Sequence, residues 1–424
     1  MFDYQNEQKL LSINLGFIKI RLTLDFEKKL IKELKFFFTL LDLVIPKQQN
    51  KIVTILYPKQ ENKTDAYLDW VKESHPEYDC VRITENQDDV SEDNKIYKFY
   101  TFRALWELYR AKYIVIANSR FILDYLKSEK HTYVNFWHGM PIKNVGLTDS
   151  DTIKNKNVRK RLDFIGKKFL NFVPSDIFKH LMCSAYGGIY QNLYITGLPI
   201  TDIIMSDKSN NKMESFFNFE GYNKTIFYLP TFKTNALCHA KQINREYDNI
   251  FYFDNFDNTK FVEFLEKNNL LFIMKPHPLD EDFYRKNKDT LPVSNNFKIV
   301  YDEDFKKHSF SLYELLRYTD LMVSDFSSVT LDYLIINRPV IYLDNLTADY
   351  SQNRGMILPD NYELFMPGHK VKTYFDLEDK ILKSLFEDDM RTLREKTIPL
   401  IHKYQDNKAS ERIFKIMTKG QKNE

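Results

Sequence analysis

The chain has 424 residues, 43% of them hydrophobic, with 61 Lys and Arg against 59 Asp and Glu. A net charge of +2 excludes a globally basic nucleic-acid binder and confines electrostatic arguments to local segments. Three cysteines, Cys80, Cys183 and Cys238, are too few and too scattered for a disulfide framework or a CxxC metal site, which fits a reducing cytoplasm.

Residues Met1 to Glu7 lack the basic-then-apolar order of a signal peptide, and no apolar run approaches the roughly 20 residues that span a bilayer. The expectation is a cytoplasmic protein that does not cross a membrane. From Lys9 to Val44 apolar residues mix with Lys19, Arg21, Lys28, Lys29, Lys32 and Lys35, and the pattern predicts a helical N-terminal segment over residues 1–48. Its basic side is either a solvated face or a contact with a membrane surface.

Strand patterns at Lys51 to Leu56, Cys80 to Thr84, Tyr113 to Ala117 and Tyr133 to Trp137 then alternate with helical patterns at Ala66 to Glu73 and Arg103 to Arg110. Such alternation predicts a parallel sheet covered by helices, an N-terminal domain over residues 49–205. The segment from Lys154 to Arg161, followed by Lys167 and Lys168, reads as a solvated basic loop or as a contact for acidic lipid or a phosphate-rich polymer. A polar stretch over 206–224 reads as a linker. The alternation resumes with strands Thr225 to Leu229, Leu270 to Lys275, Leu321 to Ser324 and Val340 to Leu343. Helices Thr259 to Lys267, Leu312 to Tyr318 and Ser328 to Ile336 lie between them. These predict a second parallel-sheet domain over 225–395, with C-terminal helices over 396–424. Helical signal starts near Asp376, a plausible N-cap.

Open parallel sheets bind ligands at the carboxyl ends of their strands, and four such ends carry unusual residues. His138 lies in Trp137-His138-Gly139-Met140-Pro141, where Gly139 lets the backbone approach a ligand and the imidazole is suited to take a proton from an attacking hydroxyl. A packed loop histidine is the plainer alternative. Thr231 follows the second domain's first strand. Lys275 is either a surface cation or a counter-charge to a diphosphate. His277, held between Pro276 and Pro278, is aimed either to donate to a phosphate oxygen or simply to stiffen a turn. Ser324, Asp325, Ser327 and Ser328 stand where a strand gives way to a helix, as ordinary caps or as an anion site. Asp332, one turn beyond Ser328, either accepts from ribose hydroxyls or pairs with a base. Asp325 and Asp332 without a histidine cluster make a poor transition-metal site, so catalysis without a tightly bound metal or cofactor is expected.

In order, Tyr113 to Ser119, Trp137 to Gly146, Val173 to Asp176, Leu229 to Lys233, Lys275 to Pro278, Ser324 to Ser328 and Arg354 to Met356 resemble the motifs of the CDP-glycerol glycerophosphotransferases, which build teichoic acids and related capsular polymers. Met140 replaces the more frequent Thr after His-Gly. Lys275-Pro276 replaces an Arg-Leu type pair, and Gly197 to Asp202 lacks the arginine often seen after Pro. These departures spare both histidines and leave polyol and acceptor specificity open.

The resemblance implies a GT-B-like α/β fold, two Rossmann-like domains facing a central cleft with the nucleotide held mainly by the second. It implies His138 as general base and His277 on the transferring phosphate. Ser327 and Ser328 would hold the diphosphate, Thr231 and Lys233 would border the nucleotide pocket, and Asp332 would reach the ribose. The implied reaction moves a polyol phosphate, glycerol phosphate first and ribitol phosphate as the variant, from a CDP-activated donor to a lipid-linked or oligosaccharide acceptor, releasing CMP. No nucleic-acid partner is implied, and peripheral contact with the inner membrane face is an expectation. A CMP-sugar glycosyltransferase of sialyltransferase type, or a silent subunit of a polymer-assembly complex, are the alternatives.

Overall fold

Strands, where helix was expected, occupy the start of the chain: β1 (Leu10–Leu15) and β2 (Ile18–Thr23) pair antiparallel, with Leu15 opposite Ile18. The reason lies in the spacing. Ile18, Ile20 and Leu22 alternate with Lys19, Arg21 and Thr23, the period of two that sends alternate residues to opposite faces of a strand. A helix follows at Lys35–Val44. The computed structural model describes residues 10–15, 18–23, 29–30, 32–56, 62–117, 126, 128–137, 139–187, 190–231, 249–251, 253, 256–325, 327–344, 355–358 and 361–419.

The alternation of strand and helix signals becomes two parallel sheets. The first contains β3 (Gln48–Leu56), β4 (Asp79–Thr84), β5 (Ile96–Lys98), β6 (Ala111–Ile116), β7 (Thr132–Asn135), β8 (Phe169–Val173) and β9 (Leu193–Ile195), in the order β5-β4-β3-β6-β7-β8-β9. The second has the order β12-β11-β10-β13-β14-β15, built from β10 (Lys224–Leu229), β11 (Leu270–Met274), β12 (Phe297–Ile299), β13 (Leu321–Ser324), β14 (Val340–Leu343) and β15 (His369–Val371). All its pairings are parallel. β11, β13 and β14 are buried along their whole length, which is why they read as continuous apolar runs rather than as alternation. Aromatic rings dominate the core around them: Phe261 and Phe272 meet edge-to-face at 5.0 Å, and Tyr228 lies 5.0 Å from Phe251. Such pairs add roughly 0.5–1.5 kcal/mol each beyond area burial.

The chain divides into two compact units, Met1–His138, Phe164–Phe172 and Ile413–Glu424 in one, Gly139–Asp163 and Val173–Arg412 in the other. The last helix, Ala409–Thr418, carries Phe414, whose ring stacks on His75 at 3.8 Å and meets Tyr78 at 5.1 Å, so the end of the chain belongs to the first unit.

Several expectations are corrected here. The supposed linker over 206–224 contains helix Asn211–Phe217 with Met213 and Phe217 fully buried, and Phe217 packs on Phe310 at 5.7 Å. A polar sequence can hide a helix whose two buried apolar residues sit one turn apart on one face. The basic run after Lys154 is helix Lys156–Lys168 rather than loop. Asn155 Oδ1 accepts from the N–H groups of Asn157 and Val158 at its start, and Leu162 and Ile165 turn inward while Lys156, Arg159 and Lys160 stay exposed. Thr373, not Asp376, caps helix Tyr374–Phe386, accepting the Asp376 N–H at 3.1 Å. The boundary expected at 395/396 falls inside helix Arg391–Ile401. No helix among the described residues is long and apolar enough to cross a membrane.

Candidate active site

β10, β11 and β13 are neighbours in the second sheet, and their carboxyl ends deliver Thr231, Lys275 and Asp325 to one edge. There the ends are stitched together. Ser324 Oγ donates to the Leu229 carbonyl at 2.6 Å. Asp325 accepts the Thr231 N–H at 3.0 Å and the Thr231 hydroxyl at 2.6 Å. Ser324 is fully buried and Asp325 is 3% exposed, so these two expected ligand contacts instead position the strand end and Thr231. Fixing the orientation of a neighbouring donor is what such a buried carboxylate does best, since its own charge is satisfied by short, charge-assisted hydrogen bonds.

Lys275 is corrected in the same way. Its ammonium lies 2.7 Å from Asp302 Oδ1 and 3.0 Å from Glu281 Oε1 and donates to the Pro276 carbonyl. Two carboxylates enclose one buried cation, so its charge is matched within the protein. Asp332, on helix Val329–Tyr333, is 1% exposed and accepts from the Tyr313 hydroxyl at 3.4 Å, which sets it in the core rather than toward a ribose. That helix is only five residues long and continues as a 3-10 turn, Leu334–Ile336, so its dipole is weaker than the longer helix expected from sequence would supply.

His277, Ser327, Ser328, Thr231 and Gly139 are the expected residues that remain partly exposed. The Pro276-His277-Pro278 loop holds the imidazole in one tautomer: Nδ1 accepts the Leu279 N–H at 3.2 Å, so the neutral ring carries its proton on Nε2. Burial lowers the proton affinity of His277. Lys275 and Lys143 push it further down, against Asp280 and Asp302, which pull it up. The neutral donor form therefore prevails at pH 7.

Gly139 links the Trp137 to Gly146 motif to this edge. A Cβ at Gly139 would lie 2.9 Å from Ser328 Oγ, closer than real Cβ contacts permit, so glycine is what lets the loop backbone meet the Ser327-Ser328 turn. Farther along the loop, Lys143 forms an antiparallel bridge with Met356, flanked by Asn144 N–H to Gly355 O at 3.1 Å and Ile357 N–H to Ile142 O at 3.0 Å. Gly355 has φ +74°, and a Cβ there would lie 2.5 Å from Asn144 Nδ2.

His138 and Lys233 lie outside the described residues, as do Phe326 and Arg354 of the recurring motifs. The residue before His138 is described: Trp137 adopts a left-handed φ of 56°, is buried, and its N–H donates to Asn135 Oδ1 at 3.0 Å. A bulky residue there is strained, and persists only where its surroundings over-determine it. Asn135 in turn donates to Asn171 Oδ1 at 2.8 Å, and Asn171 to the Phe169 carbonyl. Sequence reasoning misses this amide chain and Lys143. The available signal is an asparagine inside each of two otherwise apolar strand runs, Tyr133 to Trp137 and Phe169 to Val173.

The sequence pattern that defines the CDP-glycerol:poly(glycerophosphate) glycerophosphotransferases matches residues 37–419. The chain belongs to that family. Among glycerophosphotransferase relatives, it is 22% identical over 371 residues to a teichoic acid glycerol-phosphate primase of Bacillus subtilis, covering 86% of this chain and 84% of the relative. It is 24% identical over 331 residues to the teichoic acid ribitol-phosphate polymerase TarL of Staphylococcus aureus, covering 74% of this chain and 52% of the relative. The chain thus spans about half the length of TarL, and 44% of that of the ribitol-phosphate polymerase TarK. Its fold matches that of the wall teichoic acid polymerase TagF with a TM-score of 0.70 at 18% identity, over 94% of this chain and 95% of that one. The chain therefore has the two-sheet GT-B-like α/β architecture that the resemblance implies.

Proposed function

We propose that this chain transfers a polyol phosphate, glycerol phosphate first, from a CDP-activated donor to an acceptor hydroxyl during synthesis of a teichoic-acid-like or capsular polymer. The observation that carries the reading is the approach of Gly139 to Ser328, which brings the loop that follows His138 to the serine turn within a family-wide match. In the proposed step the acceptor oxygen attacks the β-phosphorus of the donor. A new P–O bond forms, the P–O bond to CMP breaks, and the acceptor proton passes to His138. His277, through Nε2–H, and the hydroxyls of Ser327 and Ser328 stabilise charge on the phosphoryl oxygens. Transfer at phosphorus relies on positioning and charge stabilisation more than on covalent chemistry, so such donors are a sufficient apparatus. The CDP-polyol is a substrate here, and no resident cofactor is invoked.

The test is CMP release from CDP-glycerol, CDP-ribitol and CMP-sialic acid, each with phosphopolyol-primed and sugar acceptors, followed by mass analysis. A gain of one phosphopolyol supports the reading. A bare sugar added from the CMP-sugar alone would replace it with a glycosyltransferase. His138→Ala should lower turnover on the order of 100-fold, and near-normal turnover would remove His138 from the mechanism.

Docking of the first unit on an acidic lipid surface is the second part of the proposal. Among the described residues of that unit, the exposed large hydrophobics are Leu34, Phe36, Phe37, Leu40, Leu43, Val44 and Trp106. All but Trp106 fall on or beside helix Lys35–Val44, whose opposite side is anchored by buried Asp42, with His131 at 2.6 Å and Lys47 at 2.8 Å. Lys29, Lys32 and Lys35 are exposed along the same stretch, and Arg110 lies over the Trp106 ring at 5.5 Å. Apolar residues rimmed by cations suit an anionic headgroup layer. The double variant Phe36→Glu, Phe37→Glu should abolish cosedimentation with phosphatidylglycerol vesicles, and unchanged sedimentation would sink the docking.

A further inference from the structure

Resting on the proposed transfer with His138 as its base, we propose that Asn135 and Asn171 are positioning residues, a buried amide relay that fixes the backbone at Trp137, from which the chain enters His138. The relay begins in strand register. β7 and β8 pair with Tyr133 opposite Phe169 and Asn135 opposite Asn171, so alternation puts these four side chains on one face and Phe136 and Phe172 on the other. The Tyr133 and Phe169 rings meet at 4.9 Å, and those of Phe136 and Phe172 at 6.0 Å. The face that carries the Tyr133–Phe169 rung therefore ends in two amides, only 2% and 3% exposed.

Each link has one allowed direction. The Trp137 N–H donates to Asn135 Oδ1 at 3.0 Å, Asn135 Nδ2 to Asn171 Oδ1 at 2.8 Å, and Asn171 Nδ2 to the Phe169 carbonyl at 2.9 Å. A backbone donor stands at one end and a backbone acceptor at the other, so each middle member must accept on one side and donate on the other, as a planar amide does. The fold alone does not call for this pair. Two apolar residues of the same shape in place of a buried hydrogen-bonded pair are nearly neutral for stability. What they could not do is accept the Trp137 N–H. Trp137 is 9% exposed at φ 56°, a left-handed conformation that a bulky residue keeps only where its surroundings impose it. The Asn135 oxygen is such a constraint, and the bond to Asn171 keeps that oxygen from turning away. Trp137 is bonded to His138, so the direction of the chain into the base is set there. An error of about 1 Å in placing a reacting group can cost about 100-fold in rate.

The experiment is CMP release by the full chain from CDP-glycerol with a phosphopolyol-primed acceptor, read beside the thermal midpoint of each variant. Asn135→Leu should lower kcat about 10–100-fold and leave KM for CDP-glycerol unchanged, because the donor still binds and only the base is misplaced. The double variant Asn135→Leu, Asn171→Leu leaves no orphaned amide. Its thermal midpoint should return toward that of the unmodified chain while kcat stays low, a separation that a merely structural role would not produce, and it serves where the single variant does not fold. Asn135→Asp keeps an oxygen for the Trp137 N–H and should retain more turnover than either leucine variant. Normal kcat in a folded leucine variant, or kcat that recovers together with the midpoint, would overturn the relay while the donor reading stands. No CMP release by the unmodified chain would overturn the donor reading and the relay with it.

Discussion

Lys51 and Lys275 are both buried lysines on parallel sheets, each held between two carboxylates. Lys51, in the interior of β3, lies 2.5 Å from Asp79 Oδ2 and 2.6 Å from Glu107 Oε2; Lys275, just past β11, lies between Glu281 and Asp302. The acids around them behave differently. Burial pushes the Asp79 carboxyl up, but the ammoniums of Lys51 and Lys95 outweigh it and hold Asp79 below its ordinary range. At Glu281 burial prevails over Lys275 and the carboxyl is raised. Only Lys275 has the sequence address of a ligand-binding residue, yet both perform the same task. What a buried lysine does is decided by the acids that reach it, not by its place at a strand end.

The largest effect that sharpens this comparison is expected for Lys51→Met. It leaves Glu107, 2% exposed, paired with Arg103 at 3.0 Å, and should lower unfolding free energy by about 3–5 kcal/mol in a denaturant titration. A loss within experimental error would break the equivalence of the two clusters. Lys275→Met should lose about 3 kcal/mol. Adding Glu281→Gln should recover about 1–2 kcal/mol, because it removes an acid whose ionised form burial penalises; an additive pair would deny the coupling.

The pH dependence separates the clusters by sign. Asp79 has a lowered folded pKa, so its contribution is present above its ordinary value of 3.8 and is lost as pH falls below it. Glu281 has a raised folded pKa, so its contribution is present below its ordinary value of 4.5 and is lost as pH rises through the folded value. Stabilities measured at pH 3 and pH 7 should therefore show Glu281→Gln faring relatively better at pH 7 and Asp79→Asn relatively worse. The same sign for both would refute the contrast. The smallest effect is at the strand-end stitch, where Thr231→Val removes one hydroxyl donor from buried Asp325 and should lower stability by about 1 kcal/mol, read from the thermal midpoint.

Much of the second sheet is legible in the amino-acid pattern. Leu321–Ser324 and Val340–Leu343 coincide with their apolar runs, and Lys224–Leu229 and Leu270–Met274 differ from expectation by one residue. A strand buried on both faces announces itself by unbroken apolarity. The start of the chain misleads because its basic content draws attention away from a period of two. The short helix Asn211–Phe217 escapes notice because Met213 and Phe217 supply its whole buried face.

For the site, the local pattern of the sequence determined which residues reach the carboxyl ends of the strands: Thr231, His277, and the Ser327-Ser328 turn. Strand period and apolarity are properties of neighbours along the chain, and so are readable there. Only the tertiary structure decided which polar groups at that edge face outward. It turned Ser324, Asp325, Lys275 and Asp332 inward and brought Gly139 against Ser328. The physical reason is that a buried charge or hydroxyl takes whichever partner folding delivers, and those partners, Leu229, Thr231, Asp302 and Tyr313, come from separate segments of the chain.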